Sequence, residues 1–328
     1  MRDIYFEENY GKLYEQIENG TSMVYNYEDD LGKAHHMFIK REIPFSIDEN
    51  IYYDIVTPYG YGGPSIEPVD ENKRDELVQN FMAGLDDFCT KQNIVSEFVR
   101  FHPLIENAYD FMKYYDVSQI RNTLGTSLNE YDDPFQTEFS KSCRKNIRQS
   151  LKAGVTYRIT ENPEDVSQFK DIYYSTMDRN KASEYYYFAE DYFNLCLEYF
   201  KDNLLLVEAI FEGEVIAMGF YFIYGDFIHT HLSGTISDYL HLSPAYILRY
   251  ALTQWGKEKG YKVIHHGGGR SNDPNDSLYK FKKRFSKNTE FNFFIGKKIW
   301  NKNVYKQLCE MSNADNNSDF FPAYRSKA

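Results

Sequence analysis

Apolar and polar positions in the first half of the chain alternate in short runs that predict β-strands. The runs are MVYNYED, KAHHMFIKREI, IYYDIVTPYGYGG, SEFVRFHPL and SQIRNTLGTSL. Between the third and fourth runs, Leu77, Phe81, Leu85 and Phe88 recur at helical spacing, which predicts a helix over about residues 71–92. The mixture of strands and helices predicts an α/β (α+β) fold.

A second apolar stripe predicts a helix near the middle of the chain. It consists of Phe139, Cys143, Ile147 and Leu151, one residue every four. Its other faces carry five cations, namely Lys141, Arg144, Lys145, Arg148 and Lys152. Gly154 then suits the end of a helix. We expect residues 139–154 to bridge an N-terminal domain (1–138) and a C-terminal domain (155–328).

The second half repeats the order of strands and helices. VTYRIT predicts a strand, and EDVSQFKDIYYSTMDRN and FAEDYFNLCLEYFK predict helices. Residues 204–234 alternate as a three-stranded meander with turns at Glu212-Gly213 and Gly225-Asp226. There follow the helix AYILRYALTQWGKEKG, the strand YKVIHHGGG and the short basic helix SLYKFKKRF. We expect the strand FNFFIG to close this second sheet.

The start of the long helix in this half is a candidate anion site. Ser243 is a good N-cap residue and Pro244 suits the first helical position. The N–H groups at a helix start, together with the helix dipole, attract phosphate. Gly267, Gly268 and Gly269 follow the next strand, and they either permit close approach of a ligand or form an unusual turn.

Charge and composition exclude several classes of protein. The 328 residues include 37 Lys and Arg against 49 Asp and Glu, a net charge of −12, which argues against DNA binding through a broad basic surface. Besides the mid-chain helix, cations concentrate at Lys280, Lys282, Lys283, Arg284 and Lys287. These two islands suit a ligand with a few phosphates, or they are solvated helix faces.

The expected location is the cytoplasm. No apolar run approaches the roughly 20 residues that span a bilayer, and the charged N-terminal segment is unlike a signal peptide. The four cysteines are scattered without paired spacing, which indicates reduced thiols.

Six stretches together resemble the Fem-like branch of the GNAT acyltransferases. They are TPYGYGGP (57–64), EFVRFHPL (97–104), SKSCRKNIRQSLKAGV (140–155), YYSTMDRNKASEYYYF (173–188), and residues 243–269 and 277–285. That branch contains peptidoglycan bridge-forming aminoacyl transferases and related acyl-CoA enzymes. The resemblance, over about residues 20–300, implies tandem GNAT-like domains with the chemistry mainly in or beside the second.

The resemblance also implies transfer of an acyl group to an amine on a cell-envelope sugar, peptide or nucleotide-linked precursor. We expect acyl-CoA, with acetyl-CoA first, as the donor. Aminoacyl-tRNA is the alternative donor, and a catalytically silent ligand-binding protein is a further alternative. A lipid-linked acceptor would bring peripheral contact with a membrane.

Three residues are candidates for the chemistry of acyl transfer. The resemblance places a lysine that stabilises a phosphate or a carbonyl within Phe281-Lys282-Lys283, so we name Lys282. Tyr279 is a candidate proton donor to the leaving thiolate, and His231 is a candidate base for the ammonium acceptor. His229, His265 and His266 could converge with His231 if their strands are neighbours. No metal is expected, because no carboxylate or cysteine stands at zinc-ligand spacing beside His229 and His231.

The remaining candidates divide between donor and acceptor. Donor binding is expected at Ser243, Ala245, Tyr246, Lys280, Gly267 and Gly268. Acceptor binding is expected at Tyr59, Tyr61, Arg144, Arg148, Arg179 and Tyr187. For Tyr59 and Tyr61 a simple chain turn is the alternative, and for Arg179 it is an intramolecular salt bridge.

Overall fold

The computed structural model describes residues 3–271, 273, 275–314 and 320–326. Over these residues the chain forms two compact units. The first combines Tyr5–Arg121 with the described residues from Asn292 onward, and the second combines Asn122–Phe291 with Asp3 and Ile4. Each unit contains a mixed β-sheet flanked by helices, which confirms the predicted α/β class.

The first unit begins with short helices and then builds most of its sheet. Its elements up to Arg121 are α1 (Glu8–Lys12), α2 (Glu15–Glu18), β1 (Thr21–Asp29), β2 (Gly32–Ile47), β3 (Asn50–Val56), β4 (Ser65–Pro68), α3 (Arg74–Lys91), β5 (Ile94–Arg100) and α4 (Ala108–Phe111). Helix α3 buries Leu77, Phe81 and Leu85 of the predicted stripe, because its apolar face packs on the sheet.

The second unit contains the meander and the long helix that the sequence predicts. Its elements are β6 (Asp116–Ser127, which crosses the unit boundary), α5 (Pro134–Glu138), α6 (Lys141–Lys152), β7 (Thr156–Glu161), α7 (Ser167–Arg179), α8 (Glu190–Phe200), β8 (Leu204–Phe211), β9 (Glu214–Tyr224), β10 (Phe227–Thr235), α9 (Pro244–Glu258), β11 (Val263–Gly267) and α10 (Ser277–Lys282). The strand order is β6-β11-β10-β9-β8-β7, and only β10 and β11 pair in parallel.

Two further elements carry the chain back into the first unit. They are β12 (Glu290–Ile299) and α11 (Lys302–Met311). The predicted strand FNFFIG is part of β12, which lies between β5 and β6 in the strand order, and β12 pairs antiparallel with β5 through Ile295↔Arg100 to Ile299↔Ser96. The first sheet therefore has the order β1-β2-β3-β5-β12, with β4 on β2.

Because the chain returns to the first unit at Asn292, the limits of the two units differ from the predicted 1–138 and 155–328. Residues 122–138 and the whole of α6 lie in the second unit, so α6 is part of that unit rather than a bridge. The apolar stripe explains the position of α6. Phe139, Cys143 and Ile147 are fully buried in the core of the second unit, and Leu151 packs against it. Among the described residues, no helix has the length and the apolar composition needed to cross a bilayer.

Candidate active site

Strands β10 and β11 stop pairing in the middle of the second sheet. They pair in parallel at Phe227↔Val263, Ile228↔Ile264 and His229↔His265, and among the described residues the pairing ends there. Strand β10 nevertheless continues to Thr235, where it still pairs with β9, after an irregularity between His229 and Leu232. The edge of β10 beyond His229 is therefore unmatched by β11, and backbone polar groups in such a gap need another partner.

A neutral histidine stands at this gap. His266 is buried on β11, with Nε2 2.9 Å from Oγ1 of Thr126 and Nδ1 3.4 Å from Oγ1 of Thr230. The Thr126 hydroxyl donates to the carbonyl of Phe285 at 2.7 Å, so Nε2 of His266 is the donor to Thr126 and Nδ1 keeps its lone pair. Burial, then the charges of Arg249 and Lys282, lower the pKa of His266 well below its usual value.

Lys282 reaches the turn at the end of β11. Its Nζ donates to the carbonyl oxygen of Gly268 at 2.7 Å, and Gly267 adopts a φ of 72° that a side chain would resist. By contrast, Lys280 is exposed and donates to Oδ1 of Asn275 at 2.7 Å. The structure therefore brings Lys282 to Gly267 and Gly268, whereas Lys280 is held at the surface.

Asp276 holds the glycine turn and α10 together, and the sequence reasoning missed it. Its Oδ1 accepts from the N–H of Tyr279 at 2.8 Å as an N-cap, and its Oδ2 accepts from the N–H groups of Arg270 and Ser271. A Cβ on Gly269 would lie 2.7 Å from Oδ1 of Asp276, so glycine is required for this close approach. An Asp directly before an apolar-basic helix was the available signal.

Tyr279 and His231, the candidate proton donor and base, each contact another side chain of the second unit. The Tyr279 hydroxyl lies 3.4 Å from Oε2 of Glu290, and burial, then the Glu290 charge, raise the pKa of Tyr279. His231 Nε2 lies 2.6 Å from the hydroxyl of Tyr192. Burial, then the influence of His229, lower the pKa of His231 to about 3, so its imidazole is neutral and weakly basic near pH 7.

The other imidazoles form a buried polar row. His229 and His265 face each other across the parallel pair with ring centroids 5.6 Å apart. His265 Nε2 lies 2.9 Å from Oγ1 of Thr123, and His229 Nε2 lies 2.8 Å from Oδ2 of Asp3. Spacing could not reveal Asp3, because it is 226 residues from its partner.

Helix α9 begins at Pro244 as predicted, but its entry differs from the expectation. Ser243 adopts the left-handed conformation (φ 53°, ψ 45°) and makes no side-chain cap, so the expectation that it caps the helix is wrong. The preceding residues form a 3₁₀ helix, Ser237–Leu242. Ala245 is half-buried, while Tyr246 stacks on Phe281 and accepts a hydrogen bond from Arg284 at 2.9 Å.

Arg179 fixes the chain between β10 and this 3₁₀ helix. Its guanidinium donates to the carbonyl and the hydroxyl of Thr235, each at 2.7 Å, and to Oγ of Ser237 at 2.9 Å. These contacts are hydrogen bonds rather than the salt bridge considered from the sequence. Tyr187 is exposed, stacks on Tyr174 and donates to Oδ1 of Asp178 at 2.8 Å.

The two predicted tyrosines of the first unit lie in an aromatic cluster of that unit. The Tyr59 carbonyl accepts from the hydroxyl of Tyr10 at 2.8 Å. The ring of Tyr61 meets those of Tyr5 and Phe293 edge-on at 5.4 and 5.2 Å, and burial raises the pKa of Tyr61.

The cations of α6 separate into two kinds. Arg144 turns back onto its own chain and donates to the carbonyls of Gln136, at 2.7 Å, and Phe139. Arg144 is therefore bound internally rather than presented to a ligand. Arg148 is exposed and its guanidinium lies 5.7 Å from the ring centre of Phe135. Lys141, Lys145 and Lys152 are exposed as well.

Comparison with known proteins identifies the fold. A model of the acetyltransferase (GNAT) domain matches residues 137–283. The crystal structure of FemX is similar over 93% of this chain and 94% of FemX, with 12% identity and a TM-score of 0.68.

Two further solved structures share the fold with lower TM-scores. The C-terminal domain of a putative lysylphosphatidylglycerol synthetase from Agrobacterium fabrum is similar over 94% of this chain and 93% of that domain, with 12% identity and a TM-score of 0.56. L-PGS from Bacillus licheniformis is similar over 90% of this chain and 93% of its own, with 15% identity and a TM-score of 0.51. No curated protein has a matching sequence. Residues 137–283 thus match the acetyltransferase (GNAT) domain, and the chain shares the fold of FemX.

Proposed function

We propose that this protein is a cytoplasmic N-acyltransferase that moves an acyl group from an activated donor to an amine of a cell-envelope sugar, peptide or nucleotide-linked precursor. The observation that carries the proposal is the gap that opens where β10 and β11 stop pairing after His229 and His265. An acyl carbonyl inserted there would meet the edge of β10 that β11 leaves, where backbone N–H groups could stabilise an oxyanion without side-chain rearrangement.

The reaction needs no covalent enzyme intermediate. The neutral amine attacks the acyl carbon, the carbonyl oxygen takes up negative charge, and the bond to the leaving sulfur or oxygen then breaks. Lys282 supplies a positive charge at Gly268, beside this gap. Nδ1 of His266 keeps its lone pair and lies 3.4 Å from the hydroxyl of Thr230 on the same gap, so the proton that the amine loses could pass through these two groups to the leaving sulfur or oxygen.

Acyl-CoA is the donor that we propose first. Its pyrophosphate would lie at the start of α9, at the positive end of the helix dipole, where Pro244 has no N–H and that of Tyr246 already donates to the carbonyl of Ser243 at 3.0 Å. Arg179 holds this entry in place through Thr235 and Ser237. Aminoacyl-tRNA is the second candidate, because the exposed cations of α6 suit a donor with many phosphates. Its ester carbonyl would use the same gap.

The test offers both donors to one preparation of the protein. Radiolabelled acetyl-CoA and a pool of aminoacylated tRNA are each incubated with a panel of amino sugars, peptides and nucleotide-linked amines, and the labelled products are identified by mass spectrometry. The proposal predicts transfer from at least one donor and its loss in Lys282→Met. Binding of a donor without transfer to any amine would instead support the silent ligand-binding alternative.

A further inference from the structure

We propose that Arg249 is a positioning residue of the acyl-transfer site, whose buried guanidinium holds Tyr221 opposite the irregularity of β10 and fixes a positive charge beside the gap. The inference rests on the proposed acyl transfer and concerns the side of the sheet on which α9 packs. Arg249 lies on α9 and is 5% exposed. Its buried neighbours on the helix, Leu248 and Leu252, belong to the apolar core of the second unit.

The charge of Arg249 has no counter-charge in the part of the chain that the structure describes. Arg249 forms none of the ion pairs found there, and its Nε is buried without a hydrogen-bond partner. Arg158 of the same unit, by contrast, pairs with Glu208. A guanidinium stays charged inside a protein, so its burial without a counter-ion costs stability. A protein that keeps such a charge in its core is expected to use it for function.

The guanidinium is held by the hydroxyl of Tyr221. Nη1 of Arg249 donates to that oxygen, and the guanidinium carbon lies 5.1 Å from the centre of the tyrosine ring. The phenol leans over Gly219 on its own strand, because a Cβ at Gly219 would collide with Cζ and the hydroxyl of Tyr221. Glycine at this position therefore makes room for the ring, and the ring holds the guanidinium.

Tyr221 stands where the gap between β10 and β11 opens. The two residues of β10 between His229 and Leu232 lie opposite Tyr221 alone, which is the arrangement of a β-bulge. Gly219 pairs with Ser233, in the stretch of β10 that β11 leaves. Bulges beside active sites redirect side chains and end strand pairing. The contact between Arg249 and Tyr221 thus supports the strand at the point where it separates from β11.

The charge of Arg249 also acts on His266, which borders the same gap. After burial, the charges of Arg249 and then Lys282 lower the pKa of His266. The hydrogen-bond partners of the imidazole are uncharged, namely the hydroxyl of Thr126 on β6 and that of Thr230 on β10. Two cations on two helices, α9 and α10, therefore act on this histidine, and the effect of Arg249 is the larger.

A fixed cation at this place matches the charges that acyl transfer creates. As the amine nitrogen bonds to the acyl carbon, the electrons of the C=O double bond move to the oxygen. As the bond to the leaving sulfur or oxygen breaks, its electrons stay on that atom until it takes up the proton that the amine loses. Both anionic stages are stabilised by a buried positive charge that the resting protein leaves without a counter-ion. The same charge disfavours protonated His266, which would have no lone pair to accept a proton.

The experiment compares acyl transfer and thermal unfolding of the full-length wild type with three variants, using the donor that the transfer assay identifies. The variants are Arg249→Met, Arg249→Lys and the double variant Tyr221→Phe/Arg249→Met. In Arg249→Met we expect kcat to fall at least about tenfold, with little change in KM for the donor. Arg249→Lys keeps the charge and should recover part of that rate. The double variant removes both hydrogen-bonding partners, so its Tm should equal or exceed that of the wild type.

A pH profile separates this role from a structural one. Loss of the Arg249 charge raises the pKa of His266, so the rate of Arg249→Met relative to wild type should decline from about pH 8 to about pH 6. NMR of protein labelled with [¹³C]histidine should show His266 titrating at a higher pH in this variant. Lys257→Met, at an exposed lysine of the same helix, is the matched control and should keep the wild-type rate, Tm and pH profile.

The outcomes distinguish the inference from the proposed function. A wild type that transfers an acyl group, with Arg249→Met equally fast, overturns the inference alone. A lowered Tm in the double variant, together with an unchanged pH profile in Arg249→Met, would make Arg249 structural and overturn it as well. If the wild type transfers from neither donor to any amine, the proposed function fails and the inference fails with it.

Discussion

At the scale of single residues, the gap between β10 and β11 is bordered by the neutral His266, on which the charges of Arg249 and Lys282 act. His266 is neutral and hydrogen-bonded on both nitrogens, to Thr126 and Thr230. Lys282 brings a positive charge to the carbonyl of Gly268. A neutral base and one fixed cation are the two components that the attack of an amine on an acyl group requires.

Replacing Lys282 should damage catalysis more than folding. In Lys282→Met the aliphatic stem remains, but the charge near the gap is lost, so we expect the rate of acyl transfer to fall about 10²-fold or more. Lys287→Met, an exposed lysine just beyond the same helix, is the matched control and should leave the rate near that of the wild type. Transfer rates and thermal unfolding of both variants are compared. An unchanged rate with a lowered Tm in Lys282→Met would mean that Lys282 is structural.

The neutral histidines should make the protein sensitive to mild acid. The pKa of His231 is about 3 when folded and near 6.5 when unfolded, so above pH 6.5 neither state binds the proton. As the pH falls below 6.5 the unfolded state takes up a proton that the folded state refuses, and stability is lost at up to about 1.4 kcal/mol per pH unit. Urea unfolding between pH 7 and pH 5 should show a smaller decline in His231→Gln than in the wild type.

His241 provides the control for this pH effect. It is exposed, and its Nδ1 contacts only the carbonyl of Asp238 among the hydrogen bonds described for it. His241→Gln should keep the wild-type dependence on pH. If His231→Gln and His241→Gln lose stability equally on acidification, then burial of His231 does not set the effect.

At the scale of elements, the two faces of α6 have separate roles. Its apolar face enters the core through Cys143 and Ile147, and its opposite face exposes four cations, Lys141, Lys145, Arg148 and Lys152. Arg144 belongs to neither face, because its guanidinium donates to the carbonyls of Gln136 and Phe139. A helix of this kind can lose charge without losing its place in the fold.

Substitutions on the two faces of α6 should therefore change the free energy of unfolding by very different amounts. Ile147→Ala leaves a cavity in the core and should lower the free energy of unfolding by about 2–5 kcal/mol. Arg148→Ala, one residue away on the exposed face, should change it by no more than about 0.5 kcal/mol. Chemical denaturation of both variants measures the two changes. Equal destabilisation by the two changes would contradict the division of faces.

Local pattern accounts for the elements that the sequence predicts well. The apolar face of α6 and the start of α9 at Pro244 depend on residues a few positions apart, so hydrophobic periodicity and a proline are sufficient to predict them. The pairing of β12 with β5, and of His229 with Asp3, joins distant parts of the chain, and no local pattern records it. Ser243 shows a third limit, because a favourable cap residue adopted a conformation that prevents capping.

At the scale of the whole molecule, the chain leaves the first unit and later returns to it. The returning segment is anchored at Asp54, which is buried and accepts hydrogen bonds from Tyr324 at 3.1 Å and Arg325 at 2.5 Å. Tyr324 also contacts Oγ of Ser96 on β5 at 2.8 Å. The first unit thus depends on residues near the end of the described chain.

Loss of this anchor should destabilise the first unit selectively. Tyr324→Phe removes both contacts and leaves a buried carboxylate with one partner fewer, so we expect a loss of about 1–3 kcal/mol. Tyr109→Phe, at an exposed tyrosine of the same unit, is the control and should cost no more than about 0.5 kcal/mol. Hydrogen exchange should show faster opening of β3 and β5 in Tyr324→Phe, and unchanged exchange in β8 and β9. Uniform acceleration across both units would refute a local anchor.

The central claim is that the activated acyl donor binds in the second unit, with its carbonyl between β10 and β11 and its phosphates at the start of α9. Hydrogen exchange with and without saturating acetyl-CoA, and with and without aminoacylated tRNA, tests it most directly. The account predicts that at least one donor slows exchange at residues 230–236, 244–247 and 267–269, with protection of α6 for the tRNA donor alone. Protection confined to residues 5–121 with either donor would contradict it.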